Sequence, residues 1–244
     1  MSISINVDPA NPGQFFACCG LLELADRLWP GAEGWFENYG RSFHLTCADS
    51  AGTSFQNLAD ELQRTGLSGE LTPTLADERS QLERKKKKAR RLTKEEEKRR
   101  KELGTLLREG AIEIGAPFNL RLDWYQEASN DNPKTWAGRQ EVLRIANSAL
   151  LSSVQAFATQ YPFDFSCVMR PIPGLEEDDE EPKRKQSQQK KQKKVEPFYF
   201  DSRHGCSALP LDIGFSTNEL GMESKAFPAV ELMCLIGIQR CRPK

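Results

Sequence analysis

The residues of this chain most able to do chemistry are a run of lysines and arginines between positions 84 and 101. This stretch has twelve basic residues against three acidic ones, a net charge of +9. Side chains of this kind bind phosphate groups, and each phosphate that is neutralised releases counterions from the nucleic acid. The candidate phosphate-binding residues are Lys85, Lys86, Lys87, Lys88, Arg90, Arg91, Lys98, Arg99, Arg100 and Lys101. A charged helix that serves only solubility is the alternative interpretation.

A second basic segment lies at residues 183–194, with seven basic residues and no acidic one. Residues 176–181, just before it, are all acidic and could neutralise it. Nucleic-acid binding and a solubilising linker are therefore both open for this segment. Because the whole chain has a formal charge of −1 at pH 7, the part outside the two basic segments is acidic overall. Positive charge confined to two segments is expected where particular elements meet a polyanion.

Four further basic residues are candidates for nucleic-acid contact. Lys134 and Arg139 lie near the start of a predicted helix, together with Trp136. A helix start offers free backbone N–H groups to a phosphate, and an indole can stack on a base. A tryptophan that anchors the helix in the core is the alternative. Arg240 and Arg242 could contact nucleic acid, a partner protein or the negative end of a helix.

The sequence contains no convincing catalytic or metal-binding constellation. Its histidines are His44, which alternates with apolar residues in a predicted strand, and His204, two residues before Cys206 with no third group to orient them. The seven cysteines include no C-x-x-C pair, and no glycine-rich phosphate-binding motif is present. We therefore predict a non-catalytic protein without a metal or cofactor, whose cysteines are reduced and mostly buried.

Hydrophobic patterning predicts an α+β fold around a single core. Residues 2–7 alternate as a strand, and Asn11 caps a core helix that follows. Pro12 is the first residue of that helix, Gln14 can reach back to the cap, and Pro30 stops the helix. Further strands are predicted at 35–38, 42–47, 112–124 and 198–200. Pro117 implies a break or an edge position in the strand at 112–124. Further helices are predicted at 55–66, 137–158 and 228–240. The order β-α-β-β-α-β favours a ferredoxin-like core.

The first basic segment interrupts this core as an inserted helical arm. Its composition favours helix, but its apolar residues are too sparse for a packed face along the whole length, which predicts a projecting helical hairpin. Thr93 can cap the second helix, with Glu96 at the third position after it. The predicted organisation is core at 1–73, basic helical arm at 74–110, core at 111–170, a low-complexity flexible loop at 171–196 and the remaining core at 197–244.

Three segments of the chain resemble a known family. They are residues 11–36 (NPGQFFACCGLLELADRLWPGAEGWF), residues 122–125 (LDWY) with 134–140 (KTWAGRQ), and residues 227–243 (FPAVELMCLIGIQRCRP). They look like the corresponding segments of the third Csb family of CRISPR-associated proteins, found in type I-U systems, a grouping now largely called I-G. The three segments lie in the family's order, and none of them is a catalytic motif.

The resemblance implies a non-catalytic, large-subunit-like component of a Cascade-type, crRNA-guided surveillance complex in antiviral defence. In such complexes guide pairing reads the target sequence, while protein reads a short flanking motif and the shape of the duplex. The implied partners are crRNA, target double-stranded DNA, the backbone subunit and the crRNA 5′-end subunit of the complex, and the helicase-nuclease that the complex recruits.

Two other functions remain open from the residues. A ferredoxin-like RNA-binding or crRNA-processing module would stack bases on Phe43, Trp124 or Tyr199, and cleavage would need His44 or His204. A structural bridging subunit would not need the basic arm for nucleic acid. The sequence shows no signal peptide and no apolar run of membrane-spanning length, which predicts a cytoplasmic protein without a membrane partner.

Overall fold

The computed structural model describes residues 2–47, 54–89, 91–127, 141–172, 195–203 and 225–241. Helices and small antiparallel sheets together confirm the predicted α+β class. The strands are β1 (Ser2–Asn6), β2 (Glu33–Glu37), β3 (Ser42–Thr46), β4 (Ser68–Gly69), β5 (Ile112–Ile114) and β6 (Leu120–Leu122). The helices are α1 (Pro12–Leu28), α2 (Phe55–Thr65), α3 (Pro73–Ala89), α4 (Lys94–Glu109), α5 (Trp124–Glu127), α6 (Val142–Phe157) and α7 (Pro228–Arg240).

Helix α1 begins at the cap that the sequence predicts. The Asn11 side chain accepts a hydrogen bond from the Gly13 N–H at 3.1 Å, and Pro12 is the first helical residue. The prediction that Gln14 reaches back to the cap is wrong, because the Asn11 N–H already donates to the Asp8 carbonyl at 3.0 Å. The Gln14 side chain accepts instead from the Asp8 N–H at 2.7 Å. Gln14 thereby fixes the chain before the helix.

The strands form two separate antiparallel sheets, in the orders β1-β3-β2 and β4-β5-β6. A ferredoxin-like sheet is not confirmed, because the predicted strand at 112–124 is broken in the turn that contains Pro117. Proline has no N–H for a ladder, so the chain reverses there and β5 pairs with β6. β5 also pairs with β4, and the hairpin therefore lies outside the first sheet.

One continuous cluster of buried hydrophobic side chains joins both sheets to α1, α2, α6 and α7. The first sheet contributes Ile3, Ile5, Phe43 and Leu45, and the second contributes Ile112, Ile114, Leu120 and Leu122. The described residues thus share the single core that the sequence predicts.

The crossing of α1 and α7 brings two helix backbones into direct contact. A Cβ atom on Gly20 would lie 1.9 Å from the Met233 carbonyl oxygen. A Cβ atom on Gly237 would lie 1.8 Å from the Phe16 carbonyl oxygen. Neither position has room for a side chain, so both glycines are required by the packing and not by backbone flexibility.

A buried polar network lies beside the start of α1. The Asp201 carboxylate accepts a hydrogen bond from Asn11 Nδ2 at 2.7 Å and one from Arg203 Nη2 at 2.8 Å. The Arg203 guanidinium also donates to Asp164 at 2.6 Å, and it lies 4.0 Å above the centre of the Phe227 ring. The network joins three distant stretches of the chain around one cation.

Residues 198–200 do not form the strand that the sequence predicts. The backbone N–H groups of Asp201, Phe198 and Phe200 lie near the Glu231 carboxylate of α7, and no described strand pairs with this segment. Tyr199 adopts a φ of 61°, outside the strand region. Burial raises the pKa of Glu231 to about 8, against the lowering effect of these N–H groups.

Several predicted features lie wholly or partly outside the described residues. These include residues 137–140 of the helix predicted at 137–158, residues 173–194 of the low-complexity loop, and Cys206. Of the other cysteines, Cys18, Cys47 and Cys234 are buried as predicted, whereas Cys241 is exposed. No helix in the described ranges is long and apolar enough to cross a membrane.

Replacing Gly237 by alanine should destabilise the fold by about 3 kcal/mol, because the new methyl group collides with the Phe16 carbonyl and the helices must separate. Chemical denaturation measures the change. Gly104→Ala in α4 is the matched control, because a Cβ there meets only an Arg108 side-chain atom at an ordinary 3.5 Å. The control should be neutral or stabilising by up to about 1 kcal/mol. Equal effects of the two substitutions would contradict the packing argument.

The buried Glu231 should make the protein less stable as pH rises. The unfolded carboxyl ionises near its ordinary pKa of 4.5, whereas the folded one holds its proton up to about 8. Its contribution to the free energy of unfolding is therefore complete below 4.5 and is lost as pH rises through that window. Glu231→Gln stays neutral and should flatten the profile in denaturation experiments across this range. If the free energy of unfolding depends on pH in the same way in the unmodified protein and in Glu231→Gln, the raised pKa of Glu231 is refuted.

Candidate nucleic-acid interface

The basic arm is a hairpin of two helices, α3 and α4, as the sequence predicts. The turn between them ends at a capping box. The Thr93 hydroxyl accepts a hydrogen bond from the Glu96 N–H at 3.2 Å, and the Glu96 carboxylate accepts one from the Thr93 N–H at 3.0 Å. These two bonds satisfy two backbone donors at the start of α4 and set where that helix begins.

Four of the predicted phosphate-binding residues instead form ion pairs within the hairpin. The Arg99 guanidinium makes two bonds to the Glu78 carboxylate across the helices, at 2.8 and 3.0 Å. Arg100 lies 2.9 Å from Glu83. The paired basic set is Lys85, Lys86, Arg99 and Arg100, and its other partners are Glu96 for Lys85, Glu97 for Lys86 at 3.7 Å, and Glu97 for Arg100 at 2.7 Å. These side chains hold α3 against α4.

The pKa values of the arm reflect this pairing. The hydrogen bond from Arg99 lowers the pKa of Glu78, and the hydrogen bond from Lys85 lowers that of Glu96. The hydrogen bonds that Arg100 donates to Glu97 and Glu83 raise its pKa further above its ordinary value. All of these groups lie near solvent, so each single pair contributes little and the hairpin depends on several together.

Seven other basic side chains of the arm are exposed and form no ion pair with a described residue. This outward basic set is Arg84, Lys87, Lys88, Arg91, Lys94, Lys98 and Lys101. Positions three and four apart share a helix face, so Arg84, Lys87 and Lys88 form one stripe on α3, and Lys94, Lys98 and Lys101 form a second on α4. Arg91 lies in the connection between the two helices. Arg90 lies outside the described residues.

The stripe on α4 has the right length for a nucleic-acid backbone. Lys94, Lys98 and Lys101 follow one another at helical spacing over about 10 Å. That length corresponds to about three nucleotide steps along one strand of a duplex. Lys94 was not among the residues predicted from the basic runs, nor was Arg84. Lys94 can be identified from its spacing, because Lys94, Lys98 and Lys101 occupy positions i, i+4 and i+7 on one face of a helix.

The remaining predicted contact residues lie elsewhere. Arg240, at the end of α7, lies 2.8 Å from the Glu23 carboxylate of α1, which also accepts from Arg27 at 2.7 Å. Arg240 thus helps to hold α7 on α1. Lys134, Arg139 and Arg242 lie outside the described residues.

Of the aromatic residues predicted to stack on bases in an RNA-binding module, Trp124 and Tyr199 are half-buried and held by hydrogen bonds. Phe43 is buried in the core. The Trp124 indole N–H donates to the Leu235 carbonyl at 2.9 Å, and the Tyr199 hydroxyl donates to Glu196 at 2.7 Å. Most of the exposed aromatic side chains, Phe15, Trp35, Phe36 and Tyr39, lie around β2 instead, and alternation alone did not identify them because β2 is exposed on both faces.

Within the described ranges, no group of three histidine, cysteine, aspartate or glutamate side chains is arranged to hold a metal ion. His44 lies 3.4 Å from the Glu37 carboxylate on the first sheet, and His204 lies outside the described residues. The described geometry therefore offers a basic surface for binding and supplies no constellation from which a reaction could be derived.

The chain matches no protein-family model. It matches no curated protein. It matches no solved structure.

Thr93→Ala should open the first turn of α4, because the cap that it removes contributes about 1 kcal/mol of local stability. We expect amide exchange in residues 93–97 to become about fivefold faster, measured by hydrogen–deuterium exchange with mass spectrometry. Ser54→Ala is the matched control, because Ser54 caps α2 through the Asn57 N–H at 3.0 Å. The control should speed exchange in α2 and leave the arm unchanged.

Proposed function

We propose that this chain is a non-catalytic, cytoplasmic subunit of a crRNA-guided type I CRISPR surveillance complex of the Cascade type. In this proposal the chain contributes to recognition of target DNA and its flanking motif, and to assembly of the complex. The observation that carries the proposal is the outward basic set, seven exposed basic side chains of the hairpin that form no ion pair with a described residue.

The pairing within the arm separates binding charges from structural ones. A lysine or arginine already bonded to a glutamate must lose that bond before it can contact a phosphate. The outward basic set has no such competitor among the described residues, so its charge is available to a polyanion. The ion pairs also hold the hairpin together before binding, which reduces the entropy lost when a ligand binds.

The choice of nucleic acid rests on the family resemblance of residues 11–36, 122–125 with 134–140, and 227–243. In a Cascade-type complex the guide pairs with the target strand, and protein contacts the backbone of the duplex and a short flanking motif. The arm suits the backbone contact, because lysine and arginine side chains on a helix reach phosphates without reading bases. The proposed partners are crRNA, target double-stranded DNA, the backbone subunit, the crRNA 5′-end subunit and the recruited helicase-nuclease.

Neutralising the outward basic set should weaken duplex binding by the assembled complex. The arm variant combines four substitutions: Lys87→Gln, Lys88→Gln, Lys98→Gln and Lys101→Gln. The slope of the logarithm of duplex affinity against the logarithm of salt concentration should become flatter by about 0.9 for each phosphate that the arm no longer neutralises. Fluorescence anisotropy at several salt concentrations measures it. The matched control removes four exposed charges outside the arm, Arg41, Arg144, Arg170 and Lys225, each changed to glutamine. Its salt dependence should stay that of the unmodified complex.

Size-exclusion chromatography must first show that both variants enter the complex. If the arm variant assembles and the salt dependence of its duplex affinity is unchanged, the arm does not contact the DNA. Loss of crRNA binding with duplex binding unaffected would place the arm on RNA instead. Equal losses of affinity in the arm variant and the control would indicate a general charge effect and no specific contact.

A further inference from the structure

Four of the five exposed aromatic side chains of the described residues gather around one strand, β2. Phe15, Trp35, Phe36 and Tyr39 lie on β2 or beside it, and they are four of the six large exposed hydrophobic residues in these parts of the chain. Single exposed hydrophobic residues are ordinary on a protein surface. A group of aromatic residues at one place is typical of an interaction site.

β2 is an edge strand. It pairs with β3 on one side, and no described strand lies on its other side. Every second residue of an antiparallel strand turns its N–H and C=O away from its neighbour, so β2 presents unpaired backbone groups. Four of its five residues are exposed. An edge of this kind can accept a further strand from another chain.

The outer face of β2 favours a positively charged side chain. The Trp35 indole is stacked on His44 with ring centroids 5.5 Å apart, and its N–H donates to the Glu37 carboxylate at 2.8 Å. Glu33 lies two residues before Trp35, so both acidic residues share its face. Trp35 remains 39 % exposed. An indole face attracts a lysine or arginine head group, and flanking carboxylates strengthen that attraction.

The opposite face of β2 favours an apolar side chain. Phe36 is stacked on Phe15 of α1, with ring centroids 5.5 Å apart and an interplanar angle of 13°. Phe36 also lies 5.0 Å from the Phe43 ring, which connects the pair to the core. Phe15 and Phe36 are 45 % and 37 % exposed, so the two rings form an apolar patch on the surface beside the strand edge.

We infer that the edge of β2 binds an extended segment of another protein in which basic and apolar residues alternate. A strand beside β2 turns successive side chains to opposite faces. Every second side chain would therefore meet Trp35 and the carboxylates, and those between would meet Phe36 and Phe15. The inference rests on the chemistry of this edge and is independent of the proposed function.

A second copy of this chain is a poor occupant of the same edge. Antiparallel pairing of two β2 strands centred on Trp35 would place Glu33 of one copy opposite Glu37 of the other. Like charges directly opposite one another destabilise a strand pair, and this pairing places them so at both ends of the strand. The two carboxylates also repel a nucleic-acid backbone. The charges of the edge therefore select a basic strand.

Binding of short labelled peptides to the full chain tests the inference by fluorescence anisotropy. The first peptide alternates lysine with valine. The second carries glutamate in place of each lysine, and the third has the composition of the first but separates lysines and valines into blocks. The alternating lysine peptide should bind saturably, and the other two should bind about tenfold more weakly or not at all.

Two variants locate the binding on β2. Glu33→Gln combined with Glu37→Gln should weaken binding of the lysine peptide about fivefold, because two opposite-charge pairs are removed. Trp35→Ala should weaken it by a similar factor through removal of the indole face. The matched control, Asp77→Asn with Glu95→Gln, removes two exposed carboxylates from the arm and should leave the affinity unchanged.

Other outcomes would overturn the inference. Equal binding of the three peptides, or an affinity that the β2 variants leave unchanged, would show that the edge does not select an alternating basic strand. A dimer in analytical ultracentrifugation that Trp35→Ala dissociates would assign the edge to a second copy. A labelled oligothymidine whose affinity falls with Trp35→Ala would assign it to base stacking.

Discussion

The contact between α1 and α7 is the constraint on which the rest of the fold depends. These helices lie about two hundred residues apart in the sequence, yet Gly20 and Gly237 let their backbones meet without intervening side chains. The contact also brings Glu231 beside residues 198–201 and Arg240 beside Glu23. The early strands and the last helix therefore belong to one core, and the fold is complete only when α7 is in place.

The close approach of the two helices explains why polar groups are buried nearby. Asn11, Asp201 and Arg203 form a hydrogen-bonded group beside the start of α1. Buried polar groups of this kind are stable only when each finds a partner, so their geometry specifies how the distant segments join. Glu231 carries no unpaired buried charge, because burial keeps its carboxyl protonated to about pH 8. Hydrophobic burial supplies the contact area, and the polar groups select one arrangement of the chain.

The molecule separates opposite charges onto different elements. In the arm, helix geometry divides lysines and arginines into a paired basic set that joins α3 to α4 and an outward basic set that faces solvent. On the first sheet, Glu33 and Glu37 lie beside exposed aromatic rings on β2. A polyanion suits the first surface and a basic protein segment suits the second. Together, the proposed function and the inference for β2 assign a nucleic acid to the first surface and a protein segment to the second.

The sequence by itself determined the features that depend on neighbours along the chain. The cap at Asn11, the capping box of Thr93 and Glu96, the helical hairpin and the α+β class follow from hydrogen bonds and periodicities that span only a few residues. Tertiary structure decided the rest. Asn11 bonds to Asp201, 190 residues further along the chain, and β5 pairs with β4 and β6 in a second sheet. Residues 198–200 lie beside Glu231 of α7 and form no strand. Which arginines of the arm face Glu78 and Glu83 was likewise decided by how one helix lies against the other. These outcomes depend on partners distant in sequence, and a pattern read along one chain contains no information about which distant group occupies a given hydrogen-bond donor or charge.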